Sequence, residues 1–290
     1  MRREIWAVAS VVVAAAAAAP LAAQETFVFR YAPSVGALVR TYTERRAVTT
    51  FNGFPALPDG ATLEVEARIY GHQRVIGEED GTLVVEATID STRNRRRVDQ
   101  GPWRDVADSS LVGHPAVARL TSQFSVSGFR SAAPTDGDVF RPVGAMVAGL
   151  DFAFPGEPVA VGQTFPAGGR IHVRVRAAEE TGVAVDETVF GDLALTLDSV
   201  VRREDDALAY LSFNGALTPR TTSQQAESGA SSGTYTGRFA GRLVWSRSWN
   251  AFVSGVARVR VDGRVTAETP RGLVAASAVW DTTVRHQVRP

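Results

Sequence analysis

The last third of the chain constrains the fold most, because its apolar residues fall at even spacings over three successive runs. Tyr235, Phe239, Leu243 and Trp245 share one parity; so do Val253, Ala257, Val259, Val261 and Val265; so do Val274, Ala276, Ala278, Trp280 and Val284. Alternation of this kind turns one face of an extended chain to a core and the other to water, which marks half-buried strands. Breaks at Trp249-Asn250 and at Thr269-Pro270-Arg271-Gly272 make the three runs an antiparallel meander. A strand over residues 252–268 would span roughly 50 Å at ~3.3 Å per residue. Sheets of that length twist and curl. The expected fold is therefore mainly β: a long, strongly bent antiparallel sheet, a half-barrel or open barrel, with a few short helices. Gly237, Gly241, Gly255 and Gly263 lie on the apolar face, where glycine marks a bend or the close approach of another group.

The earlier chain follows the same rule. Phe27, Phe29 and Tyr31 share a face, as do Leu63, Val65, Ala67 and Ile69, with Glu64, Glu66 and Arg68 opposite. Asp80-Gly81 is a tight-hairpin pair, and Leu83 to Ile89 returns as a strand. Residues 98–153 break the pattern. Pro115 at a first helical turn, with Val117, Leu120 and Phe124 spaced by three and four, predicts a short helix from His114 to Leu120. Pro142 to Leu150 is a second short helical candidate, and together the two would cap an opening left by the sheet. Strands resume at Ile171, at Leu193 to Val201 and at Ala207 to Phe213, and residues 219–233 form a polar, flexible stretch.

Pro155 to Phe165, with two prolines and two glycines, reads as an ordered turn joining two halves. The expected division is a signal peptide over 1–23, an N-terminal β half over 24–154 with short helices, the joint at 155–165, and a C-terminal meander over 166–290, the two halves forming one continuous sheet. Gly36 and Gly162 are 126 positions apart, and so are Glu78-Glu79-Asp80 and Glu204-Asp205-Asp206. A true internal repeat and generic hairpin chemistry both explain that register.

Met1-Arg2-Arg3, the apolar run Ile5 to Ala19 and the small-residue exit Pro20-Leu-Ala-Ala23 predict a cleaved signal peptide, and hence export from a bacterial cell to the periplasm or beyond. The run is short for a membrane span, which needs roughly 20 residues, so no stable span is expected after cleavage. No cysteine stands near the cut for a lipid anchor. Removing Arg2, Arg3 and Glu4 leaves 29 basic and 30 acidic side chains, without the clustered basic excess of a nucleic-acid surface. All 31 basic residues are arginine, and there is no cysteine. Schiff-base, Walker-type phosphate, Ser-Lys and thiol chemistry are thereby ruled out.

Few motifs survive their bland readings. Gly229-Ala-Ser231-Ser-Gly233 matches a nucleophile elbow, but its approach is polar and its exit is a strand, so a Ser/Gly loop explains it. His72, His114, His172 and His286 share no metal-ligand spacing, and Asp136-Gly-Asp138 lacks the remaining calcium ligands. Neither a metal nor a cofactor is expected. The candidate ligand-binding set is apolar: Trp103, Phe124, Met146, Leu150, Phe152 and Phe154. A bent sheet either encloses an apolar cavity with such residues or fills a core with them.

Tyr31-x4-Gly36, the Asp80-Gly81 turn and above all Pro155-x2-Pro158-Val-x-Val161-Gly162-x2-Phe165 resemble an uncharacterised family of exported bacterial proteins. Phe165 stands where that family usually has Trp. The likeness covers roughly residues 27–265 and brings no catalytic residue. The pattern also resembles periplasmic lipoprotein-carrier folds, which implies a curved antiparallel sheet with helices across its open side. The expected function is non-enzymatic: binding of an apolar small molecule or lipid in a sheet cavity. The alternative is a structural or protein-interaction role around a filled core.

Overall fold

The computed structural model describes residues 25–54, 56–57, 59–107, 112–131, 153–177, 185–226, 229–269 and 272–289. The expected signal peptide and the helical candidate at 142–150 lie outside them. The first strands are β1 (Thr26–Phe27), β2 (Leu38–Asn52), β3 (Ala61–Glu79), β4 (Thr82–Val98) and β5 (Arg104–Val106). Then come β6 (Ala116–Leu120), β7 (Val126–Ser131), β8 (Val159–Ala160) and β9 (Thr164–Ala177). The C-terminal set is β10 (Val185–Arg202), β11 (Ala207–Ala226), β12 (Gly229–Ser246), β13 (Ala251–Thr269) and β14 (Gly272–Arg289). β1 pairs with β8, and the other strands form one 12-stranded sheet in the order β7-β6-β4-β3-β2-β14-β13-β12-β11-β10-β9, with β5 added to β4. Every strand pair is antiparallel, so both halves share one sheet.

The described residues contain no helix. The segment expected to be helical from His114 to Leu120 is β6, paired with β4 on one side and β7 on the other. Ala116, Ala118 and Leu120 are buried while Arg119 is exposed. The period-two reading of Ala-Val-Ala-Arg-Leu thus beats the three-four spacing. So short a helix gains little by itself, whereas the edge of β4 supplies a ladder of hydrogen bonds.

The strand path ends at β7 and β9 without closing. At one end of the sheet, called the base below, two residues stitch its margins together. Ala153 N–H donates to Ala167 O on β9 (2.6 Å), and Phe154 N–H donates to Gln123 O in the β6–β7 turn (2.7 Å). Val161 N–H donates to Glu25 O (2.9 Å), extending the β1–β8 pair. The Pro155–Phe165 joint is thus partly strand, and it holds the base of the sheet together.

The 126-residue register has a structural counterpart. Gly36 and Gly162 both take a left-handed conformation, with φ of 89° and 83°. In each turn the following residue bonds back three positions, Ala37 N–H to Ser34 O and Gln163 N–H to Ala160 O (both 3.0 Å). Gly36 N–H then donates to Val75 O on β3 (2.8 Å), and Gly162 N–H to Leu197 O on β10 (2.7 Å). Val75 and Leu197 in turn donate to the carbonyls of Ala37 and Gln163 (both 3.0 Å). β2–β3–β4 and β9–β10–β11 therefore begin from the same device. Generic hairpin chemistry alone does not require it.

The expected faces of β12, β13 and β14 are observed: Tyr235, Phe239, Leu243, Trp245, Ala257, Val259, Val261, Val265, Ala276, Ala278, Trp280 and Val284 are buried. A register shift between Val244 and Trp245 puts Phe252, rather than Val253, on that face. Two of the in-strand glycines make room for rings. A Cβ on Gly263 would stand 2.6 Å from Trp280 Cζ3 and 3.0 Å from Tyr235, and one on Gly241 would strike Phe213. Close approach, rather than a bend, explains them.

The face that carries the core is not uniform. Register carries the apolar row Val259–Thr282 on to Ala47, Val65 and Arg96, and the row Ala257–Val284 on to Arg45, Ala67 and Asn94. Arg45 and Arg96 are exposed. The interior is therefore packed under β10–β14 and more polar under β2–β4.

The opposite face is charged. Arg46 Nη2 reaches Glu64 Oε2 (2.9 Å), Arg97 Nε reaches Glu64 Oε1 (2.9 Å) and Arg95 Nε reaches Glu66 Oε2 (2.8 Å). The hydrogen bond from Arg46 leads the effects that hold the Glu64 carboxyl below the usual range. On β13–β14, Arg258 forks onto Asp281 at 3.0 and 2.6 Å, and this bond depresses the Asp281 carboxyl. No helix among the described residues is long and apolar enough to cross a membrane.

Candidate functional site

An aromatic cluster fills the base. Phe154 stacks on Phe29 (centroids 4.5 Å, planes 8° apart) and meets Trp245 edge-on at 5.0 Å. Phe252 lies 5.6 Å from Phe154 and 4.9 Å from Trp245. Phe124 completes the group, 5.5 Å from Phe252 and 6.1 Å from Trp245, both edge-on. Its backbone is left-handed, φ 69°, a rare state for a residue with a ring. The tight β6–β7 turn enforces it: Phe124 N–H donates to Thr121 O and Thr121 N–H to Ser125 O, both at 2.9 Å. The strained turn delivers the ring to the cluster.

Beside this packed group lies a cavity of ≈ 320 Å3. Val39, Val75, Val85 and Val288 line it from the sheet, and Phe124 and Phe252 line it from the cluster. A strap from Tyr31 to Ala37 forms one wall. It is pinned at one end by Tyr31 N–H to Ser122 O (2.8 Å) and at the other by the Gly36–Val75 bond. The β12–β13 turn, with Ser248, Trp249 and Asn250, forms another wall.

That turn is held by Asp206 from the β10–β11 turn. Asp206 Oδ2 accepts from Ser246 Oγ (2.5 Å), and Oδ1 accepts from the N–H groups of Ser248 (2.9 Å) and Ala207 (2.7 Å). Burial works against the charge on Asp206, but these donors outweigh it and hold the carboxyl below its ordinary range. With its amide oriented to satisfy both ends, Asn250 donates to Arg30 O (3.3 Å) and Arg247 O (3.2 Å), tying the turn to the chain just before the strap.

Polar groups in the cavity are few. Gln73 is buried; Arg74, the next residue along β3 and paired with Glu86, is exposed on the other face of the sheet. On the inner face of β14, two residues from Val288, His286 is 1% exposed. Its Nδ1 lies 2.9 Å from Thr43 Oγ1, and its Nε2 has no partner. Among the described residues no group of three or more His, Cys, Asp or Glu is placed to hold a metal ion.

The structure divides the six candidates named from sequence. Phe124 and Phe154 come together, 6.3 Å between centroids. Phe124 lines the cavity, while Phe154 is packed among rings. Trp103 is elsewhere, on the charged face of the sheet, with Arg95 and Arg97 guanidiniums 4.6 and 4.8 Å from its ring centre. Met146, Leu150 and Phe152 lie outside the described residues. Sequence reasoning placed the turn at Trp249-Asn250 but assigned neither it nor the strap to a site. The available signal for the strap was Pro33-Ser-Val-Gly36, which echoes Pro158-Val-Ala-Val161-Gly162.

No protein-family model matches the chain, and no curated protein matches it. The likeness to the exported family therefore rests on short motifs. One similar solved structure is of lipovitellin, described for its lipid–protein interactions. It is 10% identical with a TM-score of 0.46, over 89% of this chain and 26% of that one, so this chain spans about a quarter of it. Another is an outer-membrane channel from Pseudomonas putida F1, 8% identical with a TM-score of 0.26, over 89% of this chain and 97% of that one. Neither assigns a role to any residue here.

Proposed function

We propose that the protein is an exported binding protein that holds one small apolar molecule in the base cavity and performs no chemistry on it. The observation that carries this reading is the cavity itself. At ≈ 320 Å3 it falls within the range of ligand pockets, roughly 300–1,000 Å3, and its lining is mostly apolar: valine, aromatic, alanine and proline residues. The filled-core alternative holds for the neighbouring ring cluster, where Phe154 is 2% exposed. Packed cluster and cavity sit side by side: the first gives the second a rigid wall. A channel role finds no support in the charged face of the sheet. Charged residues there run from Arg46 and Glu64 to Arg258 and Asp281, whereas a charge facing lipid at mid-bilayer costs about 2–4 kcal/mol.

Ala37→Phe tests the site. The side chain lines the cavity, while the backbone bonds of Ala37 to Ser34 and Val75 do not depend on it. The neutral apolar probe N-phenyl-1-naphthylamine is expected to brighten saturably with one equivalent of the parent protein. In Ala37→Phe its affinity is expected to fall at least about tenfold, the equivalent of ~1.4 kcal/mol. Unchanged saturable binding in that variant would put the probe elsewhere and count against the cavity.

A further inference from the structure

We infer that the charged face of the sheet carries a second binding site, for a sugar phosphate, built on Tyr42, Tyr70, Arg40 and Arg289. The site is an open groove of ≈ 330 Å3 lined by Arg40, Thr41, Tyr42, Tyr70, Gln287 and Arg289. Strand parity sets it back to back with the base cavity. Val39, Gln73 and Val288 line the cavity. Arg40, Tyr42, Tyr70, Gln287 and Arg289 stand an odd number of positions away on the same strands, so they face the other way. Two adjacent rows of that face build the groove. Gln287, Tyr42 and Tyr70 stand side by side across β14, β2 and β3, and Arg289, Arg40 and His72 form the next row.

The first row supplies a platform. The Tyr42 and Tyr70 ring centres are 5.0 Å apart, with planes at 41°. A flat guest held between two rings needs ~7 Å, twice the usual carbon contact distance, so a ligand here lies across both rings. Tyr70 is 46% exposed, which leaves its ring open to one. A pyranose suits such a surface. The C–H bonds of its flat side meet the electron-rich ring faces, and its hydroxyls match the Gln287 amide and the two phenols. Burial leads the effects that raise the Tyr42 phenol above 10, so it stays an uncharged donor.

The second row supplies charge. Arg40 and Arg289 are exposed and directly opposite each other in the β2–β14 ladder. Like charges in that position repel. No Asp or Glu lines the groove, and among the described residues neither arginine makes an ion pair. Acids in the flanking positions are engaged: Asp90 bonds His72 (2.8 Å) and Glu44 faces Arg68 (3.9 Å). A phosphate monoester brings a charge of about −1.5 to −2. That balances two guanidiniums, whose planar forks suit its oxygens. A carboxylate would balance only one.

Calorimetric titration of glucose 6-phosphate, glucuronate, glucose and inorganic phosphate into the parent protein at low salt tests the assignment. Tyr70→Ala, Arg40→Gln and Arg289→Gln are titrated beside it. The parent is expected to bind one equivalent of glucose 6-phosphate at least about tenfold tighter than any of the other three. Tyr70→Ala is expected to reduce that affinity to the level of inorganic phosphate, and either arginine variant to the level of glucuronate. All three side chains are exposed and outside the cavity lining, so N-phenyl-1-naphthylamine binding is expected to stay at the parent value. Equal binding of glucose 6-phosphate and inorganic phosphate by the parent would make the groove a basic patch and overturn the sugar. Equal binding of glucuronate overturns the phosphate. No binding of glucose 6-phosphate, or binding that survives all three substitutions, overturns the site. None of these results bears on the base cavity, which the naphthylamine probe reads separately.

Discussion

Phe154→Ala is expected to lower the stability of the protein by about 4 kcal/mol, the usual scale for deleting a buried ring from a packed cluster. Phe154 is 2% exposed and lies at the centre of the base, stacked on Phe29 and edge-on to Trp245. Its N–H is one of the two that stitch the sheet margins together, so the lost ring loosens the segment that does the stitching. Denaturant unfolding measures the loss through the midpoint at constant slope. Phe154→Leu, which keeps much of the volume, is expected to recover more than half of it. A loss under about 1 kcal/mol for Phe154→Ala, the level of surface substitutions, would mean that the cluster does not organise the base.

Mild acid is expected to weaken the fold through His286. Burial lowers the pKa of this imidazole from 6.5 to about 4. The unfolded chain takes up the proton below pH 6.5, but the folded chain does so only near pH 4. The stabilisation is therefore complete above the unfolded value and is lost as pH falls through that window. The total is about 3 kcal/mol, at ~1.36 kcal/mol for each pKa unit. Glu64, Asp206 and Asp281 are held below ordinary values of 4.5, 3.8 and 3.8, so their contributions fade at lower pH. The interval from about pH 6.5 to 5 isolates the histidine. His286→Leu is expected to flatten the stability profile there, measured by urea unfolding at a series of pH values. An unchanged slope in that variant would remove His286 as the cause.

The strands were legible because their signal is local. Tyr235, Phe239, Leu243 and Trp245 alternate along one chain segment, and burial follows that alternation. The Asp80-Gly81 turn and the 126-residue spacing of Gly36 and Gly162 were legible for the same reason, since each turn needs a left-handed residue. Residues 114–120 show where a local signal misleads. Three-four and two-fold spacings coexist there, and only the unpaired side of β4 decides between them.

The site was less legible because it is assembled by non-local contacts. The cavity joins a strap near residue 31, β3 at residue 75, a turn at residue 249 and the end of β14 at residue 288. No spacing in the sequence links these. Aromatic composition pointed correctly to Phe124 and Phe154, but it gave Trp103 the same weight. Its neighbours Arg95 and Arg97 share the parity that faces water across from Glu66 and Glu64, and the ring stacks on their guanidiniums.

The central claim is that the base cavity holds a ligand. Native mass spectrometry of the protein purified from its producing cells tests this most directly, run beside an organic extract of the same sample. The expected result is a one-to-one adduct whose mass reappears in the extract as an apolar or amphiphilic molecule and is lost in Ala37→Phe. A bare protein mass that takes up neither decanol nor decanoate would contradict it, and the cavity would then be a packing gap beside the ring cluster.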